Sequence, residues 1–225
     1  MDDAPTKEIL DTRMVTIAVR AQDRTFTEEE APTRTYRVPA FQICAVSEYF
    51  KKALQSPYKE SRTQKFSLYD VPHYAFDAFL LWMACGSILP APQPDTSSVL
   101  YDENADLHDA ILLVDLYLLG DYICSKSLKN AVIEDLFQRG KDGMAKYGGT
   151  RGDLTELTYR IHSRTLKGDS LRRVTMLLIA QNAIINQKTV RGRLDDKEFE
   201  EEFWEAAKIL SVPVEWPASA EPFLA

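Results

Sequence analysis

Lys65-Phe66-Ser67-Leu68-Tyr69-Asp70-Val71-Pro72-His73-Tyr74-Ala75-Phe76-Asp77-Ala78-Phe79-Leu80-Leu81-Trp82-Met83-Ala84-Cys85-Gly86 is the stretch on which the fold turns. Its first five residues alternate polar and apolar side chains, the period-two pattern of a strand with one covered face. Asp70 and Pro72 then open a helix, because proline suits a first turn whose amide lacks a partner in any case. Phe76, Phe79, Leu80 and Met83 follow at the i, i+3, i+4, i+7 spacing of one helical face. Gly86 supplies the residue that closes a helix in the left-handed conformation.

On the N-terminal side, residues 15–19 (VTIAV) alternate β-branched and small side chains and read as a strand. Residues 21–32 are polar and read as a turn or hairpin loop. Residues 33–38 (TRTYRV) read as a second strand with Tyr36 and Val38 on one face. Pro39 fits the first turn of a helix, in which Phe41, Cys44 and Ala45 stand at helical spacing. Ser47 has the hydroxyl of an N-cap, and Glu48 suits the positive end of the helix that follows. Phe50, Ala53 and Leu54 form its inner face, and Pro57 ends it.

On the C-terminal side, residues 86–105 hold three prolines and read as a long surface loop. Asp106 or its neighbour caps a helix over 107–119 that is apolar nearly all round, the mark of a buried helix. Ser125 starts the next, with Leu128, Ala131, Val132 and Leu136 inward and Gly140 as its stop. Residues 141–152 read as a linker. Three further helical stretches are marked by Leu154, Leu157 and Ile161, by Leu171, Val174, Leu177 and Leu178, and by Phe199, Phe203, Ala206 and Leu210. A small sheet followed by many helices predicts an α+β domain and then an all-α extension.

Composition narrows the function. There are 27 Lys+Arg against 34 Asp+Glu, a net charge of -7. Nucleic-acid binding needs clustered positive charge, and the short basic spots at Arg172-Arg173 and Arg191-Gly192-Arg193 have acidic neighbours. Cys44, Cys85 and Cys124 lack the short spacing of a metal site and read as small buried residues kept reduced. Residues 1–11 are acidic with no apolar core of the kind a signal peptide carries. The longest apolar run, 110–119, is interrupted by Asp115 and too short to span a bilayer. The expectation is a chain of the cytoplasm, the nucleus or both, with no membrane partner and no nucleic-acid partner.

Four stretches in this order resemble the BTB/POZ family. The first is the strand pair at 15–19 and 36–38. The second is Ser47-Glu48-Tyr49-Phe50 leading to Ala53-Leu54 and then Lys59-Glu60-Ser61. The third is Phe66-Ser67-Leu68 with Asp70-Val71-Pro72, Phe76, Phe79, Leu80, Trp82 and Gly86. The fourth is the run 107–119 followed by Leu128-Lys129-Asn130. The tail helices, with Tyr159-Arg160 and Leu171-Arg172-Arg173, resemble the extension of stand-alone fungal members. The resemblance implies a BTB/POZ-like domain over 13–139, a helical C-terminal extension over 140–212 and a tail over 213–225. It implies a non-catalytic adaptor, working through protein partners: a cullin ubiquitin-ligase scaffold or a second copy of itself. Val38-Pro39 and Ala84 depart from the family pattern at positions linked there to partner or pocket contacts, so those roles are not carried over. Ile9-Leu10 is a thin apolar stripe for the N-terminal helix that swaps between subunits in many members, so a swapped dimer is expected to be weak or absent.

Residue by residue, no catalytic set emerges. His73, His108 and His162 fall in helices or at their starts without a nucleophile beside them. Gly148-Gly149-Thr150-Arg151-Gly152 lacks the lysine and hydroxyl ending of a phosphate loop. No cofactor, metal or small-molecule substrate is expected. The candidate partner-binding residues are Tyr58, Leu107, His108 and Asp109. Leu107-His108-Asp109 resembles the hydrophobic-x-acid motif that cullin-binding members carry before this helix. A plain helical reading serves the same residues: Leu107 as the first core position and Asp109 as an N-terminal charge. The rival functional readings are an enzyme working in a cleft between the two halves and a transcription-linked scaffold.

Overall fold

The computed structural model describes residues 13–20, 33–88, 105–141, 159–185, 197–210 and 224; at 105–109, 140–141, 182–185 and 210 it describes the backbone alone. The chain is mixed α+β. It divides into two compact units, residues 1–89 with 115–129 and residues 90–114 with 130–225.

The first unit is built on three strands, β1 (Met14–Arg20), β2 (Thr33–Pro39) and β3 (Lys65–Tyr69), in the order β2-β1-β3. β1 pairs antiparallel with β2, setting Ile17 against Tyr36, and parallel with β3, setting Ile17 against Phe66. The central strand turns Val15, Ile17 and Val19 into the core with no exposed area. The β3 pattern expected from KFSLY holds, with Phe66 and Leu68 buried between exposed neighbours. β2 buries Val38 and leaves Arg34 and Arg37 outward, charges that discourage pairing at a sheet edge. β2 and β3 lie on opposite edges of β1, too far apart for a tight turn. The chain therefore crosses from β2 to β3 through α1 (Ala40–Val46), α2 (Glu48–Gln55) and α3 (Lys59–Thr63).

Two helical faces differ from the sequence expectation. Pro39 is the N-cap of α1, not its first turn, and the Ala40 amide bonds to Arg13 O at 2.8 Å. That places Ala40 and Ile43 inward, while Phe41 is 41% exposed. Pro72 likewise caps α4 (His73–Cys85) without a side-chain bond, after Asp70 has turned the chain at φ 58. Its buried stripe is Ala75, Phe76, Phe79 and Trp82, with Leu80 and Met83 only half-buried. Polar contacts fix this rotation. His73 Nε2 lies 3.1 Å from Val19 O, the Tyr36 hydroxyl donates to Asp77 Oδ1 at 2.8 Å, and Arg34 Nη1 reaches Asp77 Oδ2 at 3.1 Å. Gly86 ends α4 as expected, at φ 74, its amide 2.7 Å from Trp82 O.

α5 (Ala105–Tyr122) and α6 (Lys126–Lys141) each contribute a segment to both units. The first unit takes Leu116, Tyr117, Leu119, Ile123 and Leu128 into its core. Asp115 lies 3% exposed among them and accepts a hydrogen bond from Tyr74 on α4. α5 ends in a hydrogen-bonded reversal: Cys124 sits at φ 53 with its amide 3.1 Å from Asp121 O, and the Ser125 amide reaches Gly120 O at 2.7 Å. This is the Schellman pattern, in which the left-handed position favours glycine. Ser125 then caps α6, its Oγ accepting from Leu128 N at 3.4 Å.

The same reversal meets the start of α2. Ser47 is 1% exposed; its Oγ accepts from Phe50 N at 3.3 Å and donates to Ile123 O at 2.6 Å. The Tyr49 amide adds a bond to Ile123 O at 3.3 Å, and the Glu48 amide points at Cys124 O at 3.4 Å. Helix ends leave amides and carbonyls without intrahelical partners. Here the spare amides of one helix serve the carbonyls beyond the end of another.

In the second unit, α6 buries Val132, Ile133, Leu136 and Phe137 and continues to Lys141, so Gly140 lies in its last turn instead of ending it. Residues 159–164 are helical, with Ile161 buried. α7 (Ser170–Ile185) packs against α8 (Lys197–Leu210). α7 buries Leu171, Val174 and Leu177 but leaves Leu178 half-buried, and α8 buries Phe199, Phe203 and Ala206; the side chain of Leu210 lies outside the described residues. The expectations for Leu154 and Leu157, the loop over 89–104, the linker beyond 141 and the tail over 213–223 lie outside the described residues. The cysteines depart from expectation: Cys44 is half-buried, and Cys85 and Cys124 are exposed, because they stand in the last turn of α4 and at the left-handed reversal.

The joint between α2 and α5 yields a pair of opposed outcomes. Ser47→Ala removes a cap and a buried donor and is expected to lower stability by about 1–2 kcal/mol. Cys124→Gly relieves a left-handed side chain and is expected to raise stability by about 0.5–1 kcal/mol. Urea unfolding of the full chain measures both; equal stabilities for the three proteins contradict the joint.

Candidate interaction surface

The residues singled out in the sequence fall in different units. Tyr58 belongs to the first, at the N-cap position of α3, with its carbonyl accepting from Ser61 Oγ at 2.8 Å and its side chain 65% exposed. Leu107, His108 and Asp109 belong to the second unit, in the helical backbone at the start of α5; their side chains lie outside the described residues.

Tyr58 has company within its own unit. Tyr122, 46% exposed, stacks on Tyr49 with centroids 6.3 Å apart, and Tyr49 in turn meets Phe50 and Phe66 edge-on. Tyr49 and Tyr122 flank the joint where Ser47 holds Ile123, so the exposed Tyr122 ring is braced by the aromatic core beneath it. Partial burial pushes the Tyr49 phenol up, and the nearby Tyr122 and Glu60 add to that rise. Amphipathic tyrosines on a rigid support lose little entropy on binding, which is why interfaces are rich in them.

The second unit is organised around a buried cation. The Arg172 side chain is 6% exposed. Nε donates to Thr165 Oγ1 at 3.0 Å, Nη2 donates to His162 O at 2.8 Å and to Thr165 O at 2.5 Å, and Nη1 donates to Glu198 Oε1 at 2.5 Å. The guanidinium thus caps the carbonyl end of the 159–164 helix and ties it to α8. A planar fork of five donors does this; a lysine ammonium does not. Glu202 and His162 complete the surroundings, each 3.6 Å from its neighbour in the chain Arg172–Glu202–His162. The Lys167–Glu201 pair at 3.0 Å lies outside, on the exposed surface; a direct bond raises the lysine and lowers the carboxyl, and such pairs contribute little to stability.

α8 presents an outer stripe of Lys197, Glu201, Trp204, Glu205, Lys208 and Ile209, opposite Phe199, Phe203 and Ala206. Trp204 is 52% exposed and meets the Phe203 ring edge-on at 5.3 Å. Sequence reading missed both Trp204 and Arg172. The signal for the first was on the page: Trp204 falls off the apolar stripe of its own helix. Arg172 was read as part of a surface basic spot, although it stands between Leu171 and Val174 in a helix buried on most sides.

Among the described residues no group of three His, Cys, Asp or Glu side chains is placed to hold a metal ion. None of their helices is long and apolar enough to cross a membrane. No protein-family model matches the chain, and no curated protein matches it significantly.

Replacing Arg172 leaves carbonyls and carboxylates buried without their donor. Arg172→Met is expected to cost about 3 kcal/mol or more in chemical denaturation, and Arg172→Lys to recover little of it. A neutral Arg172→Met variant removes the guanidinium from its structural role.

Alkaline pH tests the first unit. Burial raises Cys44, burial and the Asp77 bond raise Tyr36, and burial with Tyr122 and Glu60 raises Tyr49. Burial works against the charge of Lys129, but its bond to Asp121 and the nearby Tyr117 raise it overall. A group whose folded value is raised stabilises the fold while its proton is bound in both states and loses that contribution as pH climbs. Stability is therefore expected to decline from the ordinary cysteine value of 9.0 upward, past the ordinary lysine value of 10.5. Urea midpoints that stay level across this window rule the coupling out.

Proposed function

We propose that this chain is a non-catalytic protein-interaction module of the BTB/POZ type, an adaptor of the cytoplasm or nucleus. The observation that carries the reading is the sheet order β2-β1-β3, with an antiparallel hairpin and a parallel third strand entered through three helices. The four BTB-like stretches supply the elements of that arrangement in chain order: the hairpin, the Ser47 cap with Phe50, the Phe66–Leu68 strand with α4, and the apolar α5 leading to Leu128. Further support comes from the Arg172 guanidinium, which is spent on capping and helix pairing, and from surface aromatics: Tyr58, and Tyr122 and Trp204 on the rings of Tyr49 and Phe203.

A cullin ubiquitin-ligase scaffold is the proposed partner, bound through Leu107 and Asp109. Leu107 fills an apolar pocket on the partner, and Asp109 meets a basic group there.

Binding of the purified chain to the N-terminal region of cullin scaffolds, followed by calorimetry, tests this directly. Leu107→Ala with Asp109→Ala is expected to abolish binding, with thermal melting measured alongside because Leu107 also serves as a first core position of the helix in the plain helical reading. Full binding by the folded double variant sinks the site, and no binding by the wild type sinks the cullin reading.

A further inference from the structure

Among the described residues, Glu202 stands close to Arg172 without a hydrogen bond from the guanidinium. Its side chain is 10% exposed. Its Oε1 lies 3.6 Å from Arg172 Nη1, outside hydrogen-bond reach, and its Oε2 is buried and accepts no hydrogen bond. Arg172 has already committed Nε to Thr165 Oγ1, Nη2 to two carbonyls and Nη1 to Glu198. A carboxylate taken out of water without a bonded partner is costly. The atom that faces the unserved oxygen is His162 Nε2, 3.6 Å away on a side chain 13% exposed. The ring of Phe199, with its centroid 5.6 Å from that of the imidazole, lies beside it.

We propose that His162 and Glu202 form a proton-operated latch between the 159–164 helix and α8. With the imidazole protonated, Nε2–H and the Glu202 carboxylate pair and lock the two helices together; when the proton leaves, the attraction goes and the lock loosens. Charged groups placed around the imidazole include Glu202 and Glu198 on α8, Arg172 on α7 and, at the surface, Lys167, which feels both carboxylates. Water screens the exposed Lys167, whereas the buried Glu202 oxygen lies 3.6 Å from Nε2, so it is this carboxylate that favours a cation at His162. Histidine is the side chain whose ordinary value, ~6.5, lets modest surroundings bring this about near neutral pH. The latch stands apart from the cullin reading. Trp204 is two residues along α8 from Glu202, so the helix that the latch holds is also the one that presents the exposed indole.

The sign follows from linkage. A histidine stabilised as a cation has its folded value raised, so its contribution is full below ~6.5 and fades as pH rises through the folded value. The test uses the full chain. Imidazole resonances are followed by NMR from acid to alkaline pH in wild type, His162→Gln and Glu202→Gln, with urea midpoints over the same range. The three histidines give few signals, and His162→Gln assigns the relevant one. The latch requires that His162 titrate above ~6.5 and fall by about one unit or more, a tenfold change in proton affinity, in Glu202→Gln. It also requires that the gain in urea midpoint toward acid pH in the wild type shrink in His162→Gln, whose amide keeps a neutral donor. Titration of His162 at or below its ordinary value overturns the latch, as does an undiminished acid gain in His162→Gln. If Glu202→Gln fails to fold, the wild-type titration and the His162→Gln midpoints decide alone.

Discussion

The bond from the Ser47 hydroxyl to the Ile123 carbonyl joins residues 76 positions apart, and the first unit is arranged around it. Helix α2 starts where α5 ends, so the positive end of one peptide dipole faces the negative end of another. Moving Ser47 orphans Phe50 N on one side and, on the other, leaves Ile123 O with the Tyr49 amide alone. Phe50, three residues on, meets Phe66 with centroids 4.9 Å apart, which carries the constraint from the helix joint into β3. β3 is the strand whose parallel pairing with β1 completes the sheet. A local cap and a long-range tie are thus one residue, and hydrophobic burial on both sides excludes the water that would otherwise compete for these groups.

Much of this unit was legible because its signals are local. The KFSLY alternation, the Ser47 cap, the Gly86 stop and the Ser125 start each depend on a few neighbours, and each appears where the sequence puts it. What was misread is rotational. Proline at a helix start fixes where the chain turns, but it does not say whether it is the cap or the first residue inside. In α1 the proline is the cap, which helps to explain why Ala40 and Ile43 face inward instead of Phe41. In α4 the rotation is held by Tyr36, Arg34 and Val19, partners on strands far away in sequence, and no helical period contains that information.

Buried polar groups form the second class of what pattern reading misses. Asp115 looks like a blemish in an apolar run, and Arg172 like half of a surface basic spot. Each is instead satisfied by residues from other elements: Asp115 by Tyr74, and Arg172 by Thr165, His162 O and Glu198. Such groups contribute less to net stability than to uniqueness, because an alternative packing strands a charge or a donor in a dry interior. The candidate surface shares this difficulty in reverse. Tyr122 is exposed for the same reason that Ile123 is buried, namely the turn that the chain makes at Cys124, and that turn rests on a left-handed residue which is not glycine.

The turn at Cys124 bears on how the candidate surface of the proposed adaptor is held. An interaction surface needs side chains that stay out of the core yet do not waver, since each ring frozen only on binding costs affinity. Tyr122 meets both conditions: it is nearly half exposed, it stacks on Tyr49, and it lies between a helix end and a hydrogen-bonded reversal. Trp204 does so by another route, leaning edge-on against Phe203, whose own side chain is buried. Each of these exposed rings is one residue from a core anchor. The placement of the surface is therefore a consequence of the packing: where the chain must bury Ile123 and Phe203, helical geometry turns their neighbours outward and holds them there.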